Sequence, residues 1–534
     1  MRLAADTRPR VAGRGPEVLA GALLAIWWLV PFAVLFPDHD GTFTGSIGLQ
    51  ADDHMQYLAF IRDAGENVLI SNRFDVVADP HLFLHPLFAL SGLIWKLGAS
   101  LQVALIAWQP VAAVALVAAF AAYVRRFFAD APGARLVALL LALFFFTPAA
   151  ALAEWLSDDG LMQFGTLVVG LELFPASYPW GGAPGALSIA AMPFFLLAIE
   201  RLMDPARRAP GRSALYYGAW AGLAGALAAW LHPWQGIILL AITAALVASE
   251  RFDRRCLALA LPAALTAAPL AYFWVLSKTD SSWAIVSQPN DFPHWGTWLA
   301  AGLAPAALAL PGFLPLRGLD VGERLVRLWP LAALAVYLGL QESWFYHALA
   351  GLSLPLGVLG VRFWRRFEPP RAVVALIVAA LTLPGMAFMV LELAESREDH
   401  FIAGDERRAL AYLDSAPREG AVLAPQRLGI MVPGFADRNT YAGHYNWTPD
   451  YEARTARAEA LFDGELSPRG ARRLVRESGV GFLLADCGER ADLRPQLGPL
   501  VARTQRFGCA TVYELRSLQA QSRPASAPRS GSPT

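Results

Sequence analysis

The chain has 534 residues, 56% hydrophobic and 16% charged, with a mean hydropathy of +0.40. Soluble globules carry roughly a quarter charged residues, so a soluble domain is excluded and a polytopic membrane protein is indicated. Lys+Arg and Asp+Glu both number 44, a balance that by itself says nothing about nucleic acid or acidic partners. The signal lies in where the charges fall.

An arginine-bearing arm (residues 1–16, with Arg2, Arg8, Arg10 and Arg14) precedes the apolar run 18–36. That run is too long for a signal peptide and no small-x-small cleavage site follows, so it reads as a retained anchor with its start in the cytoplasm. Further apolar runs lie near 101–123, 134–153, 184–203, 213–231, 233–249, 256–276, 297–316, 326–341, 347–363 and 371–393. Each is close to the length that crosses a ~30 Å hydrocarbon layer as a helix, giving about eleven spans in a transmembrane domain over 17–394.

Alternate loops differ in charge. One set holds Arg125, Arg126, Arg201, Arg207, Arg208, Arg254, Arg324 and Arg365 among others, whereas the other holds only Arg62, Arg73, Lys96 and Lys278. The positive-inside rule then places the amino terminus in the cytoplasm and everything after 395 outside, in a bacterial-type cytoplasmic (inner) membrane. The stretch 80–100 is apolar but interrupted by Pro86 and Gly92 and bounded by Lys96. It fits a helix lying in the interface, so the first outer loop, 38–100, is partly embedded.

Residues 395–516 read as a small extracytoplasmic α/β domain. Helices are expected over "ERRALAYLD" and "PRGARRLVRESG", and strands over "GAVLAP", "GVGFLLAD" and "ATVYELR". Residues 517–534 read as a disordered tail. Cys487 and Cys509 both fall in this domain, where an oxidising compartment permits pairing without requiring it. No P-loop, GxGxxG or Cys/His metal spacing occurs, which argues against soluble nucleotide chemistry.

The loops on the arginine-poor side are acidic. The first holds Asp38, Asp40, Asp52, Asp53, Asp63, Glu66, Asp75 and Asp79, and the second Glu154, Asp158, Asp159 and Glu172 beside "FPASYPW". A solvated rim accounts for most of them. Asp52 and Asp53 stand out because they begin an amphipathic helix expected over 54–64, where capping is their plainest role. His232, Glu342 and His347 lie at the outer ends of spans, a depth at which polar groups are costly and mark cavities. Segment 433–454 gathers Arg438, Tyr441, His444, Trp447, Asp450 and Tyr451, a mixture suited to sugar faces and hydroxyls. Its local structure is expected to be a strand, "RNTYAGH", and a helix capped at Thr448 with Pro449 in the first turn.

The stretch Asp53-His54-Met55-Gln56-Tyr57, continuing as a helix to Gly65 and followed by His85-Pro86-Leu87, resembles the first outer loop of GT-C superfamily integral-membrane glycosyltransferases. It is most similar to the polyprenyl-phosphate-dependent branch that includes protein mannosyltransferases and aminoarabinose transferases. There the segment runs roughly Asp-Glu-x-x-Tyr, so His54 stands where the family has Glu.

The resemblance implies a GT-C fold and transfer of a sugar from a polyprenyl-phosphate carrier to an acceptor hydroxyl at the outer face. The partners it implies are membrane lipids, the lipid-linked donor and an acceptor it does not name, with no nucleic acid. Asp53 is then the general base and Asp52 a second catalytic carboxylate. Substrate binding falls to His54, Tyr57, Arg62, Lys278, His232, Glu342, His347, Arg438 and His444, with Lys278, Arg62 and Arg73 as the cations for the departing phosphate. A divalent metal (Mg, Mn or Ca) falls to Asp52, Asp158 and Asp159, with Glu154 and Glu172 as further oxygen donors. Two other classes compete: a transporter or lipid flippase, and a non-catalytic scaffold with the same fold. No matched pair of Gly/Pro-broken spans supports the transporter, and the histidine at position 54 keeps the scaffold open.

Overall fold

The computed structural model describes residues 13–37, 40–156, 160–286, 299–300, 302–315, 317–340, 344–488 and 490–516. Among them, seven stretches are helical, long and apolar enough to cross a membrane, by length and composition. They are Gly15–Leu35, Leu101–Phe127, Ala183–Met203, Ala214–Leu231, Arg254–Thr279, Phe345–Phe367 and Arg371–Glu395. Pro132–Phe144, Pro233–Ser249 and Ala304–Phe313 are shorter apolar helices, and Val321–Gly339 is a 19-residue helix whose first turns carry Glu323, Arg324 and Arg327.

Several of the expected spans depart from regular helix, two of them at prolines. The run over 134–153 breaks at Phe145–Thr147, because Pro148 has no N–H to donate and biases Thr147 towards extended backbone; a new helix, Pro148–Leu156, starts there. Within 297–316, Ala304–Phe313 winds as a tight 3-10 stretch that contains Pro305 and Pro311. The apolar stretch at 80–100 holds only the 11-residue helix Pro86–Lys96, roughly 17 Å long and too short to span.

Arginines gather at one end of these helices. Glu17 pairs with Arg125 at 2.7 Å and Arg135 at 3.4 Å, Glu200 and Asp320 each lie 2.7 Å from Arg126, and Glu250 lies 2.6 Å from Arg324. Glu17 and Glu200 are buried, and a buried carboxylate persists only when paired. Helix Ala214–Leu231, 18 residues and so roughly 27 Å long, follows this charged end and terminates at His232. Helix Ala183–Met203 runs the other way, from Gly182 to Glu200 and Arg201.

At the His232 end the first loop and the carboxy-terminal domain form one body. Strand β1 (Thr42–Phe43) pairs antiparallel with β2 (Phe401–Ile402), Thr42 opposite Ile402. Helix α1 (Ala51–Asn67) buries Leu58 and Ile61 in the same apolar cluster as Leu410, Leu413 and Met431 of the outer domain.

The domain's sheet comprises β3 (Val422–Leu423), β4 (Phe482–Ala485), β5 (Val501–Phe507) and β6 (Ala510–Leu515) in the order β3-β4-β6-β5. Only the β3–β4 pair is parallel. The expected strands appear as β3, β4 and β6, and β5 is an addition. Cys509 follows Gly508, which turns the β5–β6 hairpin at φ +65°, and bonds Cys487.

Segment 433–454 differs from expectation. Thr440 makes only an isolated bridge to Val422, and the following helix starts at Tyr451 behind Asp450. The Thr448 hydroxyl instead accepts the Gly443 N–H at 3.1 Å, so it closes the turn and does not cap a helix.

Candidate functional site

Helix α1 begins one residue after Gln50, so Asp52 and Asp53 sit within its first turn. No side chain caps it. Carboxylates there suit the positive end of the helix dipole, but their hydrogen bonds come from the outer domain. His444 Nε2 donates to Asp53 Oδ1 at 3.0 Å, the Tyr445 hydroxyl reaches the same oxygen at 3.3 Å, and Gln426 donates to Asp52 Oδ2 at 3.4 Å. Burial by itself raises the pKa of Asp53; the hydrogen bond from His444 is the largest of the contributions that oppose it, and this carboxyl is held below the usual range. Asp52 moves the other way, pushed up chiefly by burial, with the neighbouring Asp53 charge adding to it.

Asp53, 22% exposed, lines a cavity of about 330 Å³ whose other walls include His54, Tyr57, His85, Glu172, His232 and His347. Aromatic faces, among them Trp230, Trp283 and Trp447, make up much of the remainder. Glu172, the last residue of helix Gly160–Glu172, is buried; it accepts from the Tyr178 hydroxyl and pairs with His347 Nδ1, both at 2.6 Å.

The His347 ring meets that of His232 edge-on at 4.6 Å, and the Nδ1 atoms of His232 and His85 are buried without a hydrogen-bond partner among the described residues. His54 Nδ1 lies 2.6 Å from Ser46 Oγ, and its ring fills the space above Gly181, where an added Cβ would fall 1.7 Å from Nε2. Burial pushes His54 and His85 down to about 4, so both rings are neutral near pH 7.

The cavity thus brings together Asp53, His54, Tyr57, His232 and His347 from the sequence-based set, with His444 behind Asp53. It does not include the expected cations. Arg62 is nine residues from Asp53, two and a half turns along α1, and so faces the opposite side. There it pairs with Asp414 at 2.5 Å and Asp437 at 3.7 Å. Arg73 is likewise taken by Asp437, at 3.0 Å. Lys278 is exposed on the last turn of its helix, outside the lining. Arg438 donates to the carbonyls of Leu413, Ala416 and Arg418 at 2.6–2.9 Å and stacks on Phe482, closing the end of helix Gly404–Ser415.

No lysine or arginine lines the cavity among the described residues, and the undescribed internal positions contain neither. Among the described residues, imidazole is the lining side chain able to carry positive charge at this site. Asp158, Asp159 and Glu342 lie outside the described residues, as does the Glu154 side chain.

Of the expected metal set, Asp158 and Asp159 fall outside the described residues. Asp52 lies off the cavity, and among the described residues the three metal-capable side chains whose ligand atoms all fall within 4.8 Å are Asp405, Cys487 and Cys509, of which the two cysteines are bonded to each other. Sequence reasoning left Tyr178 and Tyr445 unassigned. Both are placed by chain reversals around Pro179 and Gly443 that carry no periodic signal.

No family model matches the chain, and no curated protein matches it in sequence. Solved structures do share its fold. The archaeal oligosaccharyltransferase AglB from Archaeoglobus fulgidus, in complex with an inhibitory peptide and a dolichol-phosphate, aligns at TM-score 0.50 and 14% identity over 88% of this chain and 70% of that one. An Archaeoglobus fulgidus oligosaccharyltransferase complexed with Zn and sulfate aligns at TM-score 0.52 and 14% identity over 88% and 68%. ArnT from Cupriavidus metallidurans bound to undecaprenyl phosphate aligns at TM-score 0.48 and 11% identity over 94% and 98%. The chain is a polytopic α-helical membrane protein that shares the fold of the Archaeoglobus fulgidus oligosaccharyltransferases and carries a small α/β domain at its carboxy terminus.

Proposed function

We propose that this protein is a glycosyltransferase that takes a sugar from a polyprenyl-phosphate carrier and passes it to an acceptor hydroxyl at the outer face of the membrane, with Asp53 as general base. The observation that carries the reading is a carboxylate held in its ionised form on the wall of an aromatic-lined cavity, at the end of the helices away from the clustered arginines. The fold supports the lipid-linked donor, since a structure that shares it holds a dolichol-phosphate together with a peptide.

A hydroxyl is a poor nucleophile near neutral pH and needs a base within hydrogen-bond reach as the new bond forms. In the proposed step the acceptor proton passes to Asp53, the acceptor oxygen bonds the sugar C1, and the C1–O bond to phosphate breaks with its electron pair going to the phosphate. The charge that develops there needs a preorganised donor. His347 is the side chain we place beside it. Its Nδ1 is engaged by Glu172, and its Nε2 has no hydrogen bond among the described residues.

One structure that shares the fold is a complex with Zn and sulfate; should a divalent metal enter here, it would supply the same charge stabilisation from the oxygen and imidazole donors of the cavity. A flippase is less well supported. The cavity's two carboxylates stand at helix ends, Asp53 in the first turn of α1 and Glu172 at the last residue of its helix, and neither lies in mid-span.

The test is to supply the purified protein with radiolabelled polyprenyl-phosphate sugars and a crude acceptor fraction. Label leaving the lipid phase in the presence of native but not heat-inactivated protein is the expected result. Intact donor throughout, alongside protein-dependent movement of labelled lipid between vesicle leaflets, would replace this reading with the flippase.

A further inference from the structure

Asp53 receives two hydrogen bonds from the outer domain, and both land on one oxygen. His444 and Tyr445 share Oδ1, while Oδ2 has no hydrogen-bond partner among the described residues. The other nitrogen of His444 is also committed, since the Asn446 N–H donates to Nδ1 at 3.1 Å. A neutral imidazole whose Nδ1 accepts carries its proton on Nε2, so His444 is a fixed donor aimed at Asp53.

It is also well anchored. The residue is 0% exposed, its ring stacks on that of Tyr445 at 4.4 Å, and its carbonyl accepts from Trp447 and Thr448 at 3.1 and 2.9 Å. The other titratable groups whose fields reach Asp53 are Asp52, His54, Tyr57, Tyr346 and His347. None of them hydrogen-bonds it among the described residues.

We propose that His444 is a positioning residue that the outer domain contributes to the reaction: by occupying Oδ1 it turns Oδ2 of Asp53 towards the acceptor hydroxyl. The inference rests on Asp53 being the general base and adds a separate claim, that the carboxylate is aimed from a domain about 390 residues away in the chain. A positioning role needs only the Nε2–H, because Nδ1 is already occupied. An acid–base role needs a titrating ring. A merely structural role depends on local packing and on the bond from Asn446.

Two substitutions separate these roles. In His444→Gln the side-chain amide reaches the place of Nε2; in His444→Asn it stops near Nδ1, keeping the local bond and losing Asp53. The expected result is a His444→Gln enzyme with kcat within about threefold of wild type, and a His444→Asn enzyme with kcat lowered roughly 10²-fold and KM little changed. Melting curves of both variants accompany the kinetics. Equal kcat for the two variants, whether both high or both low, would overturn the positioning role. A wild-type protein inactive with every donor would instead remove the general-base reading, and this inference with it.

Discussion

Asp52 and Asp53 are adjacent, yet one lies off the cavity against Gln426 while the other lines it under His444 and Tyr445. Their difference comes from the helix: a 100° step per residue points neighbours in different directions. The spacing of Asp53 and Tyr57, four residues apart, puts both on one face, and that much was legible in the sequence. The Glu172–His347 pair was not, because 175 residues separate the two and no local pattern joins them.

His54 adds a pH signature. Its folded value of about 4 lies below the ordinary 6.5, so the unfolded chain binds a proton that the folded chain refuses, and stability falls as pH drops from 6.5 towards 4. Each such histidine contributes a slope of roughly 1.4 kcal/mol per pH unit within that window. Melting temperatures between about pH 7 and pH 5 should fall less steeply for His54→Gln than for wild type. Identical slopes would show that His54 already titrates normally in the fold.

Helix α1 works as an element with two faces. One lines the cavity with Asp53, His54 and Tyr57, and the other ties down to the outer domain through Arg62, whose side chain is 14% exposed between Asp414 and Asp437. Removing one partner of such a partly buried cluster leaves charge uncompensated, so Arg62→Ala should lower stability by about 1–3 kcal/mol. The kcat of the folded variant should stay near wild type. A kcat loss without a stability loss would return Arg62 to the substrate site. The same helix shows why the cations were misplaced: with no alignment of faces to the cavity, any arginine on the outer loop looked available.

Elsewhere, most element types followed from hydrophobic period and turn residues, but the strand expected around Thr440 shrank to an isolated bridge and boundaries moved at Pro148 and Thr448. At Pro148 and Thr448 a missing N–H or a side-chain bond to the backbone of a nearby turn overrode the pattern.

Across the whole molecule, the apolar runs and the one-sided distribution of arginines were enough to indicate a polytopic membrane protein, because the bilayer fixes helix length and charge asymmetry. The cavity itself was beyond reach. It is assembled from residues near 53, 85, 172, 232 and 347, with 444 behind them, and only the tertiary fold brings these together.

The proposed orientation predicts that a cysteine placed at Asp79 in intact cells reacts with a membrane-impermeant maleimide and that one at Arg208 does not. The reverse labelling would invert the topology and put the cavity on the cytoplasmic side.

The most direct measurement compares Asp53→Asn with Asp52→Asn in transfer of a radiolabelled sugar from its polyprenyl-phosphate carrier. Loss of roughly 10²–10⁴-fold in kcat for Asp53→Asn, the range that a positioned base supplies, with Asp52→Asn retaining most activity, is the result expected. Equal turnover by Asp53→Asn and wild type would contradict the account at its centre.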